Sequence, residues 1–281
     1  MPLAASAARP VELRAYTTLR VGGPAELWEV GDSRELQRAT EAPYRILGAG
    51  SNLLVADRGV SERVIKLGRN YNSLAKLAGQ TDVWLGASTP LPGLVRRAQK
   101  QGLSGLEGLL GIPATLGGAV AMNAGTRFGA IADTLQEVEV FWHGKLERLP
   151  ATELDLDYRS ATLPPGAIIT QARLALASST PERVALLMRQ VDEARRGQPK
   201  NKSAGCAFKN PPNDSAGRLI DEAGLKGLRI GDAMISFEHG NFIVNLGNAK
   251  AMEVLELIER IRNVLPVRLE LEWRLWGVEG A

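Results

Sequence analysis

Fifteen consecutive residues without a single charge set the strictest limit on how this chain folds. Gly111-Ile112-Pro113-Ala114-Thr115-Leu116-Gly117-Gly118-Ala119-Val120-Ala121-Met122-Asn123-Ala124-Gly125 contains no Asp, Glu, Lys, Arg or His. A stretch of that kind is not a solvated face. It is also a poor core element, because Gly and Ala side chains bury little apolar area. Small residues of this kind suit backbone packed directly against a flat or extended ligand. A tight crossing between subdomains would use the same residues. Glycine is dense throughout the neighbourhood, with eight between Gly102 and Gly129.

A second small-residue loop, Gly48-Ala49-Gly50-Ser51-Asn52, lies between the strand-like runs Arg45-Ile46-Leu47 and Leu53-Leu54-Val55. Glycines let backbone approach a phosphate, and successive N–H groups can form an anion nest. A plain tight turn is the competing reading. The Gly-x-Gly-x-x-Gly fingerprint is not completed, since Leu53 holds the third glycine position and no helix pattern follows, so a standard Rossmann site is not expected. Two such loops in one chain point towards a phosphate-bearing cofactor.

The chain has 281 residues, enough for about two domains. Its net charge is +3, but 34 basic residues are scattered among 31 acidic ones without a block. That pattern disfavours nucleic acid and fits small anionic ligands. One cysteine rules out an internal disulfide. Met1–Pro10 is Ala-rich without a basic and then apolar leader pattern, and no apolar run is long enough to cross a bilayer, so a cytoplasmic protein with no membrane partner is expected. The two histidines, His143 and His239, have no metal-ligand spacing, and no metal is expected.

Residues 1–70 read as short strands, Val64-Ile65-Lys66-Leu67 among them. In residues 71–176 a helix is expected behind a Thr89 cap and Pro90, with Leu94, Val95 and Ala98 on its apolar stripe. Strand-like runs follow at Val138 to Trp142 and at Ile168 to Leu176. Residues 177 to about 265 read as a separate α/β unit. Thr180-Pro181 opens a helix with Val184, Leu187, Met188 and Val191 on one face, and a second helix runs from Ala249 to Leu265. The tail alternates strictly: Val267, Leu269, Leu271, Trp273 and Leu275 on one face, Arg268, Glu270, Glu272 and Arg274 on the other. It reads as one strand with a charged face.

These residues, in order, resemble the UDP-N-acetylenolpyruvoylglucosamine reductases. The resemblance is carried by Ile46–Val55 and Gly111–Gly125, by Tyr16–Ala25, Tyr158-Arg159-Ser160, Ser203–Pro211, Gly217–Gly227, His239–Asn245 and Leu269–Glu272. Each block is moderately specific, and together they span nearly the whole chain. The resemblance implies an α+β fold: a vanillyl-alcohol-oxidase-like (PCMH-type) FAD-binding domain of two subdomains, residues 1–70 and 71–176, plus a C-terminal α/β substrate-binding domain, residues 177–281, whose last strand carries Glu272. No inserted tyrosine loop is evident, which looks like the compact subtype. It implies FAD held by Gly48, Ala49, Gly50, Ser51, Asn52, Leu53, Gly111, Ile112, Pro113, Thr115, Gly117, Gly118, Ala119, Asn123, Gly125 and Ile168. Ala114 and Thr115 stand where the family often has Gly-Ser. Neither glycine loop contains His or Cys, which favours non-covalent flavin.

By the same resemblance NADPH reduces FAD and leaves, and the enolpyruvyl UDP-sugar follows. Hydride passes from flavin N5 to the terminal vinyl carbon, and the charge building beside the carboxylate must be stabilised and protonated. Arg159 matches the family arginine; its fork fits a carboxylate. Without that context it reads as a partner of Asp155 or Asp157. Glu272 matches the family glutamate near the C-terminus, although Glu270 shares its face and strand reasoning alone does not separate them. Cys206 stands where the family usually has serine as proton donor. By type alone a lone cysteine is a small buried hydrophobe, but a thiol, with a reference pKa near ~8.5, is the stronger acid of the two. Lys209 and Asn210 are expected at the substrate's carboxylate or diphosphate, with Tyr158, Arg195 and Asn241 as further substrate contacts. Two rivals remain at this point: a flavin oxidase acting on another alcohol, and a nucleotide-binding module without catalysis.

Overall fold

The computed structural model describes residues 8–278. Most of the Ala-rich start, residues 1–7, and the last three residues of the expected final strand's domain, 279–281, lie outside the described residues. The chain forms two units that interleave in sequence. One is built mainly from Trp28–Gly48 and Val64–Arg196; the other from Arg9–Leu27, Ala49–Arg63 and the residues from Gly197 onward.

The first unit centres on an antiparallel sheet in the order Lys145–Pro150, Leu135–Trp142, Ile168–Ala175, Asp82–Gly86. His143 and Gly144 make the two-residue turn of its hairpin, with φ of 47° and 77°. Two positive φ values are what a primed turn requires to match strand twist. A smaller sheet contributes Tyr44–Ile46 and the run from Val64 to Leu67. Helix α1 (Ser33–Ala39) covers it, burying Leu36 and Ala39 against Val30 and Ile65. Asp32 caps α1 by accepting from Glu35 N at 2.8 Å, while the Glu35 carboxylate accepts from Gly31 N at 2.6 Å. The cap satisfies one of the helix's orphan donors, and the Glu35 carboxylate holds the residue before the cap. Asp32→Ala is expected to cost about 1 kcal/mol of stability, read by urea unfolding.

Helix α2 (Leu91–Lys100) buries Leu91, Leu94, Val95 and Ala98, the expected stripe. Its cap differs from expectation. Pro90 is the N-cap, and the Thr89 hydroxyl, fully buried, accepts from Ser73 N at 3.1 Å. Helix α3 (Leu116–Ala121) is the middle of the charge-free segment. Helix α4 (Pro181–Ala194) starts at the expected cap, Thr180 accepting from Arg183 N. Of its apolar face only Val184 and Val191 are fully buried, and Leu187 stays 36% exposed. Met188 between them is half-buried against the core, so the stripe's edge at Leu187 is the part left to solvent.

The second unit holds an antiparallel sheet ordered Lys202–Cys206, Phe242–Asn245, Ala233–Ile235, Arg229–Ile230. Helices α5 (Ala216–Glu222) and α6 (Ala251–Val264) pack on its core, with Ile220, Val254, Leu257 and Ile261 buried. The tail departs from a single strand. Only Arg274–Trp276 joins a ladder, in parallel with Leu53–Val55. The preceding residues instead meet the segment after Cys206, where Leu271 bridges Phe208. The change of partner shifts the burial phase: Leu269 and Trp273 are buried as expected, but Trp276 then replaces Leu275, and Val267 is exposed. Among the described residues no helix is long and apolar enough to cross a membrane.

Candidate active site

In the first unit a cavity of about 560 Å³ lies between three backbone bends: Leu47-Gly48, Ala87-Ser88 and Thr115 to Gly118. That volume is typical of a cofactor cleft. Close approach forces glycine at 117 and makes position 48 tight. A Cβ on Gly117 would stand 2.8 Å from Ala87 Cβ, and one on Gly48 would stand 3.1 Å from Thr115 Oγ1. The wall built by the charge-free segment has used its own donors. Leu116 N donates to Thr89 O and Gly117 N to Ala87 O, both at 2.9 Å, and Gly118 N donates to Thr115 Oγ1 at 3.3 Å. What this wall offers a ligand is therefore small apolar surface, suited to a planar or extended group. Lys66 and Arg69 outnumber Glu29 in the lining and leave it net positive. This combination fits a flat ring system bearing phosphates.

Of the residues expected at FAD, Gly48, Thr115, Gly117, Gly118 and Ile168 line this cavity. Ala119 is fully buried in the unit's core. Gly125 begins a two-strand pair with Gly129–Ala130. Asn123 donates from Nδ2 to Asp157 O at 2.9 Å, tethering the glycine segment to the turn that carries Tyr158 and Arg159. Gly111 accepts from Arg195 Nη2 at 3.2 Å, so Arg195 braces the segment's start; Ile112 packs on the core. Pro113 follows Ile112 on the way to Thr115. Leu47, Ala87, Ser88 and Ala121 also line the cavity and were not singled out. A signal existed: Leu85-Gly86-Ala87-Ser88 repeats, at the end of a second strand, the small-residue pattern of Leu47-Gly48-Ala49-Gly50-Ser51.

Arg159 holds φ +55°, a left-handed conformation rare for a large side chain. Asp157 and Ser160 exchange backbone hydrogen bonds at 3.1 Å on either side, closing a tight turn. The guanidinium lies over the Tyr158 ring at 5.6 Å. A strained backbone fixed by its surroundings is common at functional sites.

The rest of the first loop belongs to the second unit. The N–H groups of Ala49, Gly50 and Ser51 find no acceptor among the described residues, leaving three successive donors, the makings of an anion nest. Gly50 sits at φ +64°, and a Cβ there would stand 2.2 Å from Tyr16 O. Asn52 ties the loop to the tail, donating from Nδ2 to Glu272 O and accepting at its own carbonyl from Arg274 N, both at 3.0 Å. Leu53 is buried in the parallel pair.

Cys206 and Glu272 lie on adjoining segments, which pair through the residues that follow Cys206. Glu272 N donates to Ala207 O at 2.8 Å, and Lys209 N donates to Glu270 O at 2.8 Å. Both Cys206 and Glu272 are half-buried, so Cys206 is not the sequestered hydrophobe its type alone suggests. The two glutamates of the charged face differ: Glu270 pairs with Lys209 Nζ at 2.7 Å and its side chain is 71% exposed. Asn210 Oδ1 accepts from Ala216 N at 3.0 Å at the start of α5. Asn241 is buried with both ends of its amide on the Phe208 backbone. Among the described residues no three His, Cys, Asp or Glu side chains gather to hold a metal ion.

Known proteins agree with this division of labour. Residues 23–149 match an FAD binding domain family, and residues 198–276 match the C-terminal domain of UDP-N-acetylenolpyruvoylglucosamine reductase. The UDP-N-acetylenolpyruvoylglucosamine reductase of Thermus thermophilus is 62% identical over 266 residues, 95% of this chain and 98% of the relative. That of Deinococcus radiodurans is 50% identical over 274 residues, 95% and 94% respectively. The crystal structure of UDP-N-acetylenolpyruvylglucosamine reductase from Thermus caldophilus superposes with a TM-score of 0.92 at 60% identity, covering 96% of this chain and 99% of that one. The α+β architecture, the FAD-binding domain and the C-terminal domain are therefore those expected from the sequence, and the chain belongs to the UDP-N-acetylenolpyruvoylglucosamine reductase family of FAD-dependent oxidoreductases.

Proposed function

We propose that this chain uses NADPH to reduce the enolpyruvyl group of UDP-N-acetylglucosamine enolpyruvate, giving UDP-N-acetylmuramate for peptidoglycan precursor synthesis, with Cys206 as proton donor. Bound FAD supplies the hydride for the vinyl group. The protein's part is to hold, polarise and protonate. Arg159 offers a permanent planar cation to the substrate carboxylate, where negative charge grows as hydride arrives at the terminal carbon. The Cys206 thiol gives its proton to the carbon beside that carboxylate. Glu272 hydrogen-bonds the carboxylate or returns a proton to the sulfur. Lys209, Asn210, Tyr158 and Arg195 are assigned to the sugar nucleotide.

The observation that carries the reading is the backbone pairing of Ala207 with Glu272, which fixes a thiol and a carboxyl on adjoining segments of one unit. The direct test is anaerobic. NADPH is expected to bleach the flavin's visible band, and the enolpyruvyl UDP-sugar to restore it. A reduced enzyme that ignores this sugar nucleotide but is reoxidised by another substrate refutes the reading. Arg159→Ala is expected to slow the reoxidation by about 10²–10³-fold, the scale of one lost oxyanion-type donor. Arg159→Lys should fall between, because it keeps the charge and loses the fork.

A further inference from the structure

Three strands of chain meet where Cys206 leaves its sheet, and one side chain joins them. The ladder between Lys202–Cys206 and Phe242–Asn245 ends at the Cys206–Phe242 pair, after an irregularity following Ser203. Beyond it the Phe208 peptide groups have no main-chain ladder partner on that side among the described residues. The Asn241 side chain stands in for one. Its Oδ1 accepts from Phe208 N at 2.9 Å, and its Nδ2 donates to Phe208 O at 2.8 Å. Its own carbonyl accepts from Ala207 N at 2.8 Å. Asn241 is only 2% exposed and Phe208 only 1%, so these bonds are made away from water and their loss strands buried groups.

On the opposite side the same short segment carries the tail. Ala207 O accepts from Glu272 N, Phe208 bridges Leu271, and Lys209 N donates to Glu270 O. Asn241 therefore holds the middle strand to which both Cys206 and Glu272 are attached. The Asn241 backbone is itself held, its N–H donating to His239 Nδ1 at 3.2 Å. Burial and the Lys226 charge push the His239 imidazole below its ordinary pKa, which favours an unprotonated, accepting Nδ1.

We infer that Asn241 is a positioning residue for the reduction, setting the Cys206 thiol against the Glu272 carboxyl through the Ala207–Phe208 backbone. The inference rests on the assignment of those two side chains to proton handling. It differs from a substrate contact, because both ends of the amide are engaged by Phe208.

Asn241→Ala and the near-isosteric Asn241→Asp, each as the FAD-loaded enzyme, separate the possibilities. Asp keeps an acceptor for Phe208 N and removes the donor to Phe208 O. Flavin reduction by NADPH is expected to stay within about twofold of the parent, while the saturating rate of reoxidation by the enolpyruvyl UDP-sugar drops by about 10- to 100-fold, the cost of a small misplacement. The half-saturating substrate concentration should move far less than the rate. Cys206 is the chain's one cysteine, so iodoacetamide alkylation followed by intact mass reports its setting, and its rate should change in both variants. With Cys206→Ala slow in parallel, a reoxidation rate within about twofold of the parent overturns the inference. If Cys206→Ala reoxidises normally, the proton-donor assignment fails instead, and alkylation alone decides: an unchanged rate overturns the positioning role. Failure of both Asn241 variants to fold also overturns it, since the residue would then serve the unit as a whole.

Discussion

Replacing Cys206 by alanine should divide the catalytic cycle in two. Bleaching of the flavin by NADPH is expected to continue, while reoxidation by the enolpyruvyl UDP-sugar slows by about 10²–10⁴-fold, the usual contribution of a placed acid. Serine at the same position should remain active, because it returns a donor to the same Cβ. The order expected in single-turnover reoxidation is Cys206, then Cys206→Ser, then Cys206→Ala. The contacts that join this segment to Glu272 and to Asn241 run through the backbone and side chains of other residues, and none of those bonds involves the Cys206 sulfur. Thermal unfolding of the alanine variant beside the parent reads any structural cost separately from the two rates. Stopped-flow absorbance under anaerobic conditions gives both rates from one preparation. An alanine variant that reoxidises at the parental rate sinks the assignment.

Local patterns carried much of the fold because local forces made those elements. The runs around Ile46, Leu54 and Ile65 became the short strands Tyr44–Ile46, Leu53–Val55 and Arg63–Leu67. The stripes through Leu94 and Leu257 became α2 and α6. What periodicity does not contain is pairing at long range. Arg274 lies parallel to Leu53 across most of the chain, and nothing in either local pattern names the other. The same limit explains the tail. Strict alternation from Val267 to Leu275 suggests one strand with one partner, but the segment meets Phe208 first and Leu53–Val55 afterwards. Its burial phase slips between Trp273 and Trp276.

The site follows the same division. Glycine-rich, charge-free loops can be recognised from residue type alone, and their shared feature, strand followed by small residues, also marks Gly86-Ala87-Ser88. Polar residues are harder, because type does not say what a side chain bonds. Asn123, Arg195 and Asn241 all bond backbone: Asp157 O, Gly111 O and the Phe208 peptide groups. Each braces a loop that carries the more conspicuous residues. Glu270 and Glu272 are equivalent on a strand diagram, yet it is Glu270 that pairs with the Lys209 ammonium.

Gly48→Val should yield a folded, colourless protein. Gly48 does not occupy the left-handed region, so its backbone accepts a side chain. The obstacle is the cavity. A Cβ at this position stands 3.1 Å from Thr115 Oγ1 and 3.8 Å from Gly118 Cα, so valine's further methyls fill the gap between two walls. Gly50 makes a poor test by comparison. Its φ is +64° and a Cβ would meet Tyr16 O at 2.2 Å, so substitution there strains the fold whatever ligand is present. For Gly48→Val, FAD affinity is expected to fall by about 10²–10³-fold, roughly 3–4 kcal/mol. Gly48→Ala should fall less, since a few tenths of an ångström of movement by Thr115 relieves it. Flavin absorbance per protein on purification and a titration of apoprotein with FAD give the affinities without reference to turnover. Thermal unfolding adds an independent reading. A ligand that binds only the folded state stabilises it by about 2.7 kcal/mol at roughly a hundred times its dissociation constant. The parent should therefore melt higher with excess FAD, and the valine variant should not, while the two apoproteins melt close together. A yellow valine variant with parental affinity would mean that the flavin does not lie between Gly48 and the Thr115–Gly118 wall.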